Sequence, residues 1–161
     1  MAVPMVPAFD TDAFSTYGGF QRWDTWIDDA GHTRAYLLEW LYNSVGAALV
    51  AGEPMVIRYN GDADVNPHVA VCTASPATTY ERIAVPITAI PAASWGFCAV
   101  KGYVEAFVNG DATDVAKDDF LKIVAATDND ALIDDTTTRT TNSHAIYSDD
   151  TAETDATPSL R

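Results

Sequence analysis

Between residues 49 and 125 the apolar positions fall in short runs, "MVIRY", "VAVCT", "RIAVPI", "GFCAV", "YVEAFV" and "FLKIV", divided by Gly, Pro, Asn and Asp. Runs of that length between turn formers predict strands rather than helices. In "AYLLEWLYN", 35 to 43, Tyr36, Leu38, Trp40 and Tyr42 alternate as one face of a strand, although Leu37, Leu38 and Leu41 also suit a helix. The three aromatics and the turn signal "NSVG" that follows favour the strand. Asn60-Gly61 and Asn109-Gly110 each follow a run, and Asn-Gly is the preferred pair for a two-residue turn with positive φ. Both predict hairpins, the second with a longer connection because "DATDVAKD" intervenes.

In "KGYVEAFVNGD" the alternation places Tyr103, Glu105 and Phe107 on one side and Val104, Ala106 and Val108 on the other. Gly102 then stands where the preceding strand must bend, as a sheet does when it turns a corner. Pro86 and Pro91 make "AVPITAIP" an edge strand or one that ends in a loop. The pattern also echoes itself. "LVAGEPMVI", 49 to 57, and "VAKDDFLKI", 115 to 123, share an apolar start, a turn with an acid (Glu53, Asp119) and two alternating apolar residues (Met55 and Ile57, Leu121 and Ile123). They read as two similar turn-to-strand passages in one β body.

The flanks differ from this centre. Residues 1 to 33 hold Pro4, Pro7, Gly18, Gly19 and Gly31 among aromatics, without a sustained period, and predict an extended N-terminal arm. Its apolar side chains, Phe9, Phe14, Tyr17, Phe20, Trp23 and Trp26, are too many for a free tail, so the arm is expected to lie on its own body or on a partner. Beyond residue 126 the chain turns to Thr, Asp, Ser and Asn around one strand-like run, "HAIY", and predicts a polar loop and C-terminal tail over 127–161. The expected fold is all-β: a small β-barrel or β-sandwich over 34–126, carrying the arm and the loop-rich tail.

Charge narrows the function. Nine Lys and Arg stand against 23 Asp and Glu, a formal charge of -14, which repels nucleic-acid phosphates and anionic lipid alike. Neither direct nucleic-acid binding nor membrane binding is expected. The first cation is Arg22, so the opening residues lack the basic start of an export signal. Cys72 and Cys98 sit inside apolar runs without a CxxC spacing, as small buried hydrophobes do.

The candidate chemistry is thin. His68 and Cys72 lie four apart on one strand face, as a thiol and its base would, but no oxyanion-forming Gly loop is near them. The acids of "DNDALIDD", 128 to 135, fail the EF-hand order and read as a solvated loop. Glu39, Glu81 and Glu105 occupy strand-like runs, where outward placement or pairing with Arg is the plain alternative to acid and base work. His32, His68 and His144 have no local zinc spacing, and no nucleotide, nucleophile-elbow or HExxH motif occurs. No catalytic residue, cofactor or metal is expected.

The stretch "SWGFCAVKGYVEAFVNGDATDVAKDDFLKIV" resembles the small head decoration, or cement, proteins of tailed bacteriophages. The family pattern runs aromatic-Gly, apolar strand, Gly, apolar strand with a short turn, then V-A-x-G-D-x-L. Trp95-Gly96, Gly102 and Val115-Ala116-Lys117-Asp118-Asp119-Phe120-Leu121 follow it, with Asp118 where the pattern has Gly. Asp tolerates the left-handed conformation better than most residues. The resemblance implies a compact β body, often trimeric, on the outer surface of a capsid made in the host cytoplasm, where it bridges neighbouring major capsid subunits without catalysis. The alternative expectation is a small β-barrel that contacts carbohydrate or a host surface through its exposed aromatics.

Overall fold

The computed structural model describes residues 20–28, 30–58, 68–70, 82–109, 114–123, 132–136, 145–146 and 159–160. Among them every regular element is a strand: β1 Gln21–Ile27, β2 Thr33–Asn43, β3 Met55–Arg58, β4 His68–Ala70, β5 Arg82–Pro86, β6 Trp95–Gly102, β7 Phe107–Asn109, β8 Phe120–Ile123, β9 Leu132–Thr136, β10 Ala145–Ile146 and β11 Ser159–Leu160. The fold is all-β.

Six strands form one sheet in the order β1-β2-β4-β3-β5-β6, with β2 also paired to β6, and five form a second in the order β10-β8-β9-β7-β11. Most neighbours are antiparallel, but β2–β4 and β7–β9 are parallel. The ambiguous segment 35–43 is strand, and its burial explains the ambiguity. From Leu38 to Leu41 every side chain is buried, because both faces of β2 are covered. Such a strand reads as a continuous apolar run instead of an alternating one.

Those two faces feed different clusters. Leu41 packs with Leu49, Met55, Ile57, Ala84, Ile90 and Cys98, whereas Tyr36 and Leu38 pack with Ala99 and, at the margin, Trp26, Ile87, Phe97 and Val104. A third cluster joins the sheets: Val56 and Val85 from the first meet Ala106, Val108, Val115, Leu121 and Ile123 from the second region. Each fully buried side chain of this size contributes about 1.5–3 kcal/mol before ordering costs. The register between β2 and β6 shifts between Leu37 and Leu38, so Val100 is an extra residue in β6 and the strand twists toward its end.

Gly102 is the corner that the alternation predicts. Its φ is +98°, and a Cβ there would run into the Ala35 carbonyl oxygen and the Tyr36 Cα. The Tyr103 N–H donates to that same Ala35 oxygen at 3.1 Å, and the Phe107 N–H donates to Gly52 O at 2.8 Å as the chain starts the second sheet. Burial alternates through the passage as expected, with Ala106 and Val108 inside and Tyr103 and Glu105 outside. β5 ends at Pro86, where a ladder donor is missing.

Three expectations change. Gln21–Ile27, inside the stretch read as an arm, is a strand paired with β2 over its whole length, from Gln21↔Glu39 to Ile27↔Thr33. Asn109-Gly110 closes no hairpin, because β7 lies parallel to β9 and is not paired with β8. Parallel neighbours cannot be joined by a two-residue turn. The first Asn-Gly falls between β3 and β4, which pair antiparallel, but residues 59–67 lie outside the described residues. Finally, the polar segment after residue 126 supplies β9, β10 and β11. Backbone ladders to β7 and β8 recruit them, and a ladder needs no apolar side chain.

Candidate partner-binding surface

The aromatic residues proposed for partner contact separate by the parity of β1. Its burial alternates strictly: Gln21, Trp23, Thr25 and Ile27 face outward, while Arg22, Asp24 and Trp26 are half-buried. Trp23 is 60% exposed and Ile27 70%, so one side of this strand presents two large apolar groups to solvent. β1 is also the last strand of its sheet, with no further ladder partner among the described residues.

Trp26 and Phe20 are placed differently. Trp26 packs at the margin of the Tyr36 cluster and its Nε1–H donates to Tyr103 O at 3.1 Å. Phe20 sits 6.4 Å from the Phe97 ring, which also packs edge-on against Trp40 at 4.6 Å. The Arg22 guanidinium lies 4.7 Å over Phe97, and that of Arg34 lies 4.8 Å over Tyr103. Two cations thus cap aromatic faces on the Trp26 side of β1, opposite the exposed row. Phe9, Phe14 and Tyr17 lie outside the described residues.

Ile27, exposed on the same side of β1 as Trp23, belongs to this surface and was not singled out from the sequence. The signal for Ile27 was present: "QRWDTWI" alternates with period two once it is read as a strand.

The β1–β2 connection is tied by Asp28. Its carboxylate accepts from the His32 N–H at 2.8 Å and from Arg34 Nε at 2.8 Å, with His32 Nδ1 3.3 Å away. The His32 N–H does most to hold the Asp28 carboxyl below the usual aspartate value, and Arg34 adds to it, while desolvation acts the other way. Gly31, at φ +83°, supplies the left-handed residue of the turn.

The chemical candidates fall into structural roles or outside the described region. Glu39 is buried and accepts from Gln21 Nε2 at 2.7 Å and from Arg82 Nη2 at 3.4 Å, so its charge is tied to two partners on β1 and β5. Cys98 lies directly opposite it across the ladder, buried and free, and burial pushes its thiol pKa far up, with Glu39 adding to the shift. A thiol so protonated is a poor nucleophile. Glu105 is exposed, and Glu81 and Cys72 lie outside the described residues. His68 begins β4, and Asp134 and Asp135 are residues of strand β9. Among the described residues no group of three or more His, Cys, Asp or Glu is placed to hold a metal ion.

Buried polar side chains elsewhere hold the frame. Asn43, at the end of β2, donates from Nδ2 to Ala47 O, Ile90 O and Pro91 O at 2.9–3.1 Å, and its Oδ1 accepts the Val45 N–H at 2.9 Å. No family model, no curated protein and no solved structure matches the chain.

Proposed function

We propose that the protein is a structural component of a phage virion: a decoration subunit, acting as a homotrimer, that binds the outer capsid surface and bridges neighbouring major capsid subunits. The observation that carries this reading is the exposed row of Trp23 and Ile27 on the outward side of β1. A large aromatic anchor in an exposed apolar row supports adhesion through its side chains. The charge of -14 suits an outer surface and opposes contact with packaged DNA. The resemblance of residues 94–124 to decoration proteins points the same way.

The finer architecture belongs to the same proposal. Pairings followed from β2 through β4, β3, β5 and β6 come back to β2, which supports a small barrel filled by Leu41, Leu49, Met55, Ile57, Ala84, Ile90 and Cys98. A rigid body of that kind suits a clamp, which resists separation of its neighbours without turnover.

Purified protein added to expanded, undecorated capsids tests the reading. Bound protein is expected to raise the temperature at which the capsids rupture, and capsids no sturdier with it than without it would refute the proposal. The double variant Trp23→Ser, Ile27→Ser changes only exposed groups and is expected to fold normally while losing about tenfold or more in capsid affinity. The alternative reading, a carbohydrate-contacting module, rests on the same exposed Trp23 with Tyr103. It predicts a saturable shift of tryptophan fluorescence on titration with glycans.

A further inference from the structure

The two sheets repeat one plan. In the first, β2 pairs parallel with β4, β4 antiparallel with β3, β3 antiparallel with β5, and β2 antiparallel with β6. In the second, β7 pairs parallel with β9, β9 antiparallel with β8, β8 antiparallel with β10, and β7 antiparallel with β11. Each of these four pairings has its counterpart in the same chain order and the same sense, while the β5–β6 pairing of the first sheet has none among the described residues. The registers follow: Tyr42 faces His68 and Trp95, and Val108 faces Leu132 and Ser159. Val108 stands 66 residues after Tyr42, and Leu132 and Ser159 each stand 64 after their counterparts.

A parallel pair joined through an intervening strand is an uncommon connection, since parallel neighbours are usually linked by a helix. Its occurrence twice, at nearly one spacing, is not what independent folding of two unrelated halves would give.

The local chemistry repeats too. Asn43 ends β2 and Asn109 ends β7, and both are buried. At the same offset of 66, Leu49 answers Val115, Glu53 answers Asp119, Met55 answers Leu121 and Ile57 answers Ile123, and all eight are buried except the half-buried Asp119. Between them runs one turn, built twice. The Val50 N–H donates to Glu53 Oε2 at 2.8 Å, and the Ala116 N–H to Asp119 Oδ2 at 2.7 Å. The acid's own N–H returns to Val50 O in one case and Ala116 O in the other. The residue before the acid is left-handed in both, Gly52 at φ +88° and Asp118 at φ +71°.

We infer that the chain is a tandem duplication of a single five-strand unit, β2–β6 followed by β7–β11, and that the acid-clasped turns at 50–53 and 116–119 are equivalent parts of it. The copies have diverged where their positions require. Leu41 is buried in the cluster of the first unit, whereas in β7 it is Val108, the counterpart of Tyr42, that is buried in the shared cluster, so the two strands bury opposite parities just before the asparagine. Val56, through which the first unit packs on the second, corresponds to the half-buried Lys122.

Two measurements on the full chain test the inference. In the unmodified protein, isotope labelling and NMR are expected to show interstrand contacts of Ala145 with Leu121 and of Ser159 with Val108. In a chimaera, residues 50–53 and 116–119 are exchanged, with Gly52→Val as the control for a turn that cannot form. The exchanged chain is expected to unfold cooperatively at a urea midpoint close to that of the parent and well above that of the control. The inference is overturned if the two C-terminal segments pair elsewhere, or if the exchange lowers the midpoint as far as Gly52→Val does.

Discussion

Asn43 shows how one buried polar side chain can hold two stretches of chain together, 43–47 and 90–91. Its amide hydrogens serve the carbonyls of Ala47, Ile90 and Pro91, and its oxygen takes the Val45 N–H, so both ends of the side chain are satisfied without water. Truncation strands those backbone groups in the interior, and each unsatisfied group costs about 1–3 kcal/mol. Asn43→Ala is therefore expected to lose about 3 kcal/mol in urea unfolding, and Asn43→Asp more, because a carboxylate would face carbonyl oxygens. A loss no larger than that of an exposed Asn→Ala change would show that the contacts carry little. Asp28 gives a prediction in pH. Its folded pKa lies below the ordinary aspartate value of 3.8, chiefly through the His32 N–H, so its stabilisation is complete above that value and is lost as the pH falls through the lowered one. Asp28→Asn should lower the melting temperature near neutrality, and the gap to the parent should close in strong acid. A gap that stays constant down to strong acid would mean the charge is not what matters.

At the scale of elements the corner at Gly102 is the sharpest test. Its left-handed φ and the approach of the Ala35 carbonyl leave no room for a side chain, whereas Gly31, also left-handed, has nothing within 4 Å of an added Cβ. Gly31→Ala should then cost only the conformational penalty of about 1–2 kcal/mol. Gly102→Ala adds a clash with backbone, which cannot swing away, and should cost clearly more than that. Equal losses at the two glycines would mean that the corner relaxes. This corner was legible in the sequence, because a glycine between two alternating runs has few other uses. The alternation of burial was legible in 103–108, although only Phe107–Asn109 of that run is strand. What stayed hidden were the elements whose pattern does not encode their partners. β1 alternates well, but its neighbouring glycines and prolines disguise it as arm. β9 to β11 are short and set in a polar segment, and backbone pairing with β7 and β8 makes them strands. The Asn-Gly after β7 misled because turn chemistry reports local bending and says nothing of which strand lies alongside. Of the candidate surface, the aromatic content was readable, but the division between exposed Trp23 and inward Trp26 depends on strand parity that only pairing with β2 fixes.

For the whole molecule, the decisive contact is the cluster shared by the two sheets. Val56 is fully buried on β3, yet its companions Val108, Val115, Leu121 and Ile123 belong to the second unit. Met55 and Ile57, its neighbours in sequence, point the other way into the cluster around Leu41. A single strand therefore contributes to two cores, and the two units are expected to unfold together instead of as independent bodies. Val56→Ala removes apolar volume from the shared cluster alone and should cost about 2 kcal/mol. Hydrogen exchange locates the effect. The amides of Leu121 and Ile123, on the far side of the contact, should lose as much protection as those of Met55 and Ile57. If exchange quickens only in the first unit while the second keeps its protection, the duplicated halves are separate folding units that merely touch. That outcome would also weigh against the proposed clamp, since this cluster is the apolar contact that the two sheets share.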